Sequence, residues 1–145
     1  MKNFTIKILA LSFGLLFSIV SFAQKNKFLE GKKYNVQFYE IKPTGRGKAL
    51  PSNFLIKSGK VESDLMLEKM ALDPAYYKVT LDSTYTEDDM PMRIITIEAD
   101  LSVEKNDYHW EATITNYDIE GTIVQMKSGV EKKKYEFAGS EKTKK

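Results

Sequence analysis

Cysteine is absent and histidine occurs once, at position 109, in a chain of 145 residues. The first absence excludes a disulfide framework, a thiolate zinc site, an iron–sulfur cluster, a thiol nucleophile and a lipid-modified N-terminal cysteine. The second excludes a site built from several imidazoles of one chain. A strong excess of one charge is missing too. Lys2 and Lys7 belong to the 22 basic residues, whereas none of the 20 acidic residues precedes Gln24. Residues 24–145 are therefore neutral overall, which removes the main electrostatic support for nucleic-acid or anionic-membrane binding. A hydrophobic content of 42% with balanced charge also excludes a disordered chain.

Catalytic and cofactor signatures are equally scarce. His109 stands on the expected outward face of a strand, and no motif ties a serine or aspartate to it, so no nucleophile–base pair can be argued. Gly45-Arg46-Gly47-Lys48 lacks the earlier glycine of a phosphate loop and is followed by Ala49 rather than serine or threonine. The acidic stretch from Asp82 to Met90 contains no glycine for a calcium loop and reads as a solvated turn. Met66, Met70, Met90 and Met92 have spacings that thioether ligands for Cu(I) use, but methionine fills irregular gaps readily and nothing in the chain joins the two pairs. No cofactor, no metal and no enzymatic activity is expected.

One long apolar run is present, at the N-terminus. After the basic start, Ile8–Phe22 is broken only by small residues, and Ser21-Phe22-Ala23 offers small side chains at the two positions a signal peptidase reads. The run is shorter than the roughly 20 residues that cross a bilayer. It predicts a signal peptide over 1–23, cleaved after Ala23, and a single exported domain over 24–145, periplasmic or secreted. Charges interrupt every later apolar run, so no membrane span is expected after cleavage.

Beyond the leader the dominant period is two. Tyr34, Val36 and Phe38, then Tyr77, Val79 and Leu81, then Ile95 to Val103, then Tyr108 to Ile114 each alternate with polar residues. This is the pattern of antiparallel strands with one buried and one solvated face. Ser58-Gly59 and Ser128-Gly129 suit tight hairpin turns. Strands are predicted near 33–41, 53–57, 60–64, 76–85, 92–103, 108–115, 119–127 and 131–139. Eight strands in meander order predict an all-β, up-and-down antiparallel barrel, which removes its edges by closing. An open two-sheet sandwich is the alternative. Residues 64–72 lack the period and carry helix formers, so a short helix or an irregular segment is expected there.

Leu29-Glu30-Gly31-Lys32, Lys57-Ser58-Gly59-Lys60, Pro74-Ala75-Tyr76-Tyr77-Lys78-Val79, Trp110-Glu111-Ala112-Thr113, Ile119-Glu120-Gly121-Thr122 and Tyr135-Glu136-Phe137-Ala138-Gly139-Ser140 resemble the lipocalin-like, calycin-type small exported bacterial barrels. The resemblance covers nearly all of 24–145 and consists of strand-and-turn patterns. It implies the barrel fold. Lys33 stands where the Gly-x-Trp of true lipocalins would place tryptophan.

Two functions follow as expectations. An eight-stranded barrel is either filled by side chains or holds one small ligand. If it is hollow, Tyr34, Phe38, Tyr77, Trp110 and Tyr135 would line a cavity for an apolar or amphipathic molecule, with Ala99, Ala112, Gly121 and Gly139 leaving room. The alternative is a protein-binding envelope accessory or inhibitor module. It would present Arg46 and Lys48 on a basic loop and the acidic 86–91 turn on a rigid scaffold.

Overall fold

The alternating runs form strands. A computed structural model describes residues 26–143; the expected leader and its cleavage point lie outside the described residues. The elements are β1 (Lys33–Lys42), β2 (Gly45–Arg46), β3 (Leu50–Lys57), β4 (Lys60–Glu62), α1 (Asp64–Met70), β5 (Ala75–Tyr76), β6 (Lys78–Glu87), β7 (Met90–Val103), β8 (Asn106–Thr115), β9 (Asp118–Lys127) and β10 (Val130–Glu141). All ladders are antiparallel, in the order β5-β4-β3-β1-β10-β9-β8-β7-β6, with β2 beside the end of β1. The first and last long strands pair from Tyr34–Glu141 to Ile41–Lys134. That pairing curls the meander into a nearly closed up-and-down barrel rather than a two-sheet sandwich.

Turn chemistry sets the register. Ser58-Gly59, Asp88-Asp89 and Ser128-Gly129 each place two successive residues at positive φ, the backbone of a two-residue hairpin whose twist matches that of its strands. Glycine tolerates this at no steric cost, and aspartate better than most residues. The expected strand 53–57 starts earlier, at Leu50, and includes Pro51. Among the described residues, Leu50 to Phe54 pair only with β1, so a residue without an N–H is tolerated at the open side.

Residues 64–70 are helical, and the cap comes from a neighbouring strand. Ser63 is the N-cap but makes no side-chain cap bond. Instead Ser52 Oγ accepts the N–H of Leu65 at 3.1 Å, and Asn53 Oδ1 accepts that of Asp64 at 3.2 Å. These satisfy two of the orphan donors of the first turn. Left-handed Ala71 ends the helix, with its N–H donating to the Leu67 carbonyl and that of Leu72 to the Met66 carbonyl. Leu65, Met66 and Leu72 are buried against the barrel.

The barrel interior is the hydrophobic core, and alternation assigns its faces correctly for β1, β7 and β8. The strand over 76–85 differs. Tyr77 is buried, but Val79 and Leu81 are 36% and 45% exposed. A bulge between Val79 and Leu81 turns Leu81 to the face of Thr96, away from the buried Ile95 and Ile97. Beyond Tyr77 this strand also has only β7 beside it among the described residues.

Candidate functional site

All five side chains expected to line a cavity point into the barrel and are buried: Tyr34, Phe38, Tyr77, Trp110 and Tyr135. They do not converge on one point. Tyr34 stands opposite Glu141 and Tyr135 opposite Glu40, six residues apart along β10, or about 20 Å at strand rise. Phe54, from β3, occupies the middle. Its ring lies 5.4 Å from that of Trp110 and 5.2 Å from that of Phe137, which in turn lies 5.1 Å from Phe38. The space among Phe54, Val61, Tyr77, Ile97, Trp110 and Ala112 is too small for a water molecule. The small residues leave little room. A Cβ on Gly121 would meet Phe137 Cζ at 2.6 Å, and one on Gly139 would meet the Asn35 carbonyl oxygen at 1.9 Å. The same Cβ on Gly121 would meet the Glu111 carbonyl oxygen at 2.2 Å, so Gly121 admits the backbone of β8 as well as a ring, and Gly139 admits the backbone of β1.

Two polar atoms in this core have no partner among the described residues, Tyr34 Oη and Trp110 Nε1. Burial pushes the Tyr34 hydroxyl pKa far up, and the Glu141 carboxylate adds to it. Tyr77 is engaged differently. Its hydroxyl accepts the backbone N–H of Asn26 at 3.2 Å, tying the turn before β1 across one barrel mouth. Burial raises its pKa, the Asn26 bond acts in the opposite sense, and Glu30 adds a further rise.

That mouth is polar and cross-linked. Arg93 donates to Asp82 from Nε and Nη2 at 3.0 and 2.8 Å. These bonds hold the Asp82 carboxyl below its ordinary range. Asn26 Nδ2 also donates to Asp82, at 3.3 Å. The Arg93 guanidinium lies 4.6 Å from the Phe28 ring centroid and Lys32 Nζ lies 4.4 Å from it, so two cations share one aromatic ring. Lys32 Nζ also pairs with Glu141 at 2.8 Å.

The expected partner loop is less free than its sequence suggests. Arg46 donates to Glu136 at 3.0 Å and rests over the Tyr39 ring at 4.5 Å. Lys48 is exposed two residues on. Arg46 and Tyr39 edge an open exterior groove of about 340 Å³ whose other charged walls are Glu111, Glu120 and Glu136.

Among the longer strands, β6 alone is exposed along its whole length. All ten residues from Lys78 to Glu87 are exposed, and β6 ends the sheet with a ladder to β7 alone. Among the described residues its other edge has no strand beside it, so about half of its N–H and C=O groups face outward unpaired. Leu81 and Tyr85 sit on its outer face, 45% and 41% exposed. Between Val79 and Met92 there are four acidic residues, Asp82, Glu87, Asp88 and Asp89, and no basic one. The outer face of the edge strand thus carries Leu81 and Tyr85, and its tip is acidic. Strand lengths carry a signal for it. The strands expected at 53–57 and 60–64 are five residues each, too short to cover the strand expected at 76–85, which is twice that length.

Comparison of the chain with protein-family models, with curated proteins and with solved structures finds no match.

Proposed function

We propose that the protein is an exported, non-catalytic binding module that captures an extended segment of another protein by strand addition along β6. The single observation that carries this reading is a ten-residue edge strand, exposed throughout and paired on one side only among the described residues, whereas the other strands of ten or more residues, β1 and β7 to β10, are paired on both sides. Natural sheets usually hide or interrupt such an edge, because it templates pairing with another chain. Main-chain bonds would supply affinity, and alternate side chains would supply specificity. The acidic tip selects a segment with lysine or arginine at the end that meets Asp88 and Asp89. The basic start and apolar run over 1–23 support export, and the strand-and-turn motifs support a place among lipocalin-like exported barrels.

A photo-crosslinking residue at Ser83, introduced in the exporting host, tests the reading. The expected result is one protein adduct that disappears when Leu81→Lys and Tyr85→Lys are combined. Adducts of the same pattern from a probe at Val130, on the remote β9–β10 turn, would overturn it.

A second reading has one observation in its favour. Tyr34 Oη and Trp110 Nε1 are buried without partners among the described residues, and a small amphipathic ligand inside the barrel would satisfy such groups. It requires the Phe54 ring to move aside. Native mass spectrometry of the gently purified protein decides it: a reproducible extra mass supports a carrier, and a bare chain mass supports the edge-strand reading.

A further inference from the structure

The exterior of β7 and β8 brings together the one histidine and two carboxylates. Glu98 and Glu111 are direct cross-strand partners, and His109 lies two residues from Glu111 on the same face. One ligand atom from each of Glu98, His109 and Glu111 lies within 4.8 Å of the other two. Two like charges placed opposite each other on adjacent strands destabilise the pair unless a cation intervenes. A fourth residue, outside this trio, orients the imidazole. His109 Nδ1 stands 2.7 Å from Asp100 Oδ1. With the ring donating from Nδ1, its Nε2 keeps a lone pair for a metal, and a carboxylate behind a ligating histidine is the usual support of such a ligand.

We propose that Glu98, His109 and Glu111 form a binding site for a first-row divalent transition ion, with Asp100 as the positioning residue for His109. One imidazole nitrogen and two carboxylate oxygens suit Zn²⁺ and its neighbours better than Ca²⁺ or Mg²⁺, which prefer all-oxygen sites. In a tetrahedral zinc site, ligand atoms at about 2.0–2.2 Å from the ion lie about 3.3 Å from one another. The three side chains must therefore close on the ion by side-chain rotation, for which half-buried Glu98 and exposed Glu111 have room. Solvent completes the coordination, because the site lies on the outer wall. Lys78 opposes binding: its Nζ pairs with Glu98 Oε2 at 3.3 Å.

Because the chain has one histidine, its imidazole nitrogens give an unambiguous NMR signature. Zn²⁺ is titrated into the purified protein by calorimetry and followed in parallel by ¹H–¹⁵N imidazole spectra. The expected result is one ion per chain, with the Nε2 resonance shifting on binding while Nδ1 retains its proton. Glu111→Gln and His109→Ala should each weaken binding at least about tenfold, and Asp100→Asn by about 10–100-fold, the usual effect of losing such a support. Lys78→Met should tighten it. Circular dichroism confirms that each variant keeps the strand signal. No heat of binding, an unmoved Nε2 resonance, or equal affinity in the wild-type, His109→Ala and Glu111→Gln proteins would overturn the assignment.

Discussion

The hydroxyl of Tyr77 accepts the backbone N–H of Asn26 at 3.2 Å. Fifty-one residues apart in the chain, the two close one mouth of the barrel at the point where β5 gives way to β6. Tyr77→Phe removes that acceptor and nothing else. A net loss of about 0.5–1.5 kcal/mol is expected, read from urea unfolding. Faster amide exchange should be confined to residues 26–29, whose turn also depends on Asn26 Oδ1 accepting from Phe28 and Leu29.

Gly139 is where β10 approaches β1 too closely for any side chain. Gly139→Ala places a methyl group against the Asn35 carbonyl, and backbone cannot move aside as a flexible side chain does. The loss should exceed about 3 kcal/mol, the upper end for ordinary overpacking. Gly129→Ala is the contrast. Its Cβ would enter open space but at positive φ, so a loss of about 1 kcal/mol is expected from backbone strain alone. Denaturant midpoints of the two variants separate these causes.

Tyr34 is fully buried, and its hydroxyl has no partner among the described residues. Deleting an unpaired polar atom removes its desolvation cost while keeping the ring, so Tyr34→Phe should leave stability unchanged or raise it by up to about 1 kcal/mol. Thermal unfolding checks this. A clear loss of stability would mean that the hydroxyl is bonded in solution.

Asp82 and Arg93 predict the acid side of the stability curve. Their hydrogen bonds lower the folded-state pKa of Asp82. Its contribution is present above the unfolded value, about 3.9, and is lost as pH falls through the lower folded value. The groups are partly exposed, so solvent screening keeps the contribution small. In Arg93→Met the Asp82 carboxyl carbon should titrate at higher pH, and the acid transition should move up slightly. NMR titration of the carboxyl carbons measures both.

Much of the fold was legible because strand periodicity is local. Tyr34-x-Val36-x-Phe38 and Tyr108-x-Trp110-x-Ala112-x-Ile114 state their buried faces directly, and paired turn residues state where hairpins reverse. The helix near residue 64 was legible as a break in period, but its cap was not. The capping groups belong to Ser52 and Asn53, which reach it only after β3 has folded beside it. Val79 and Leu81 show the same limit. Their alternation is that of buried residues, yet a bulge and a missing neighbour expose them.

The sequence by itself determined the class of fold, the inward positions of Tyr34, Phe38, Tyr77, Trp110 and Tyr135, and the chemistries that cysteine-free, histidine-poor composition forbids. Only the tertiary structure decided that Phe54 and Phe137 fill the space between those aromatics, that β6 is left as an open edge, and that Glu98, His109 and Glu111 meet on one wall. The physical reason is the range of the interactions. Alternation and turns are written within a few residues, whereas packing volume, edge pairing and cross-strand charge depend on which distant strands the register sets side by side.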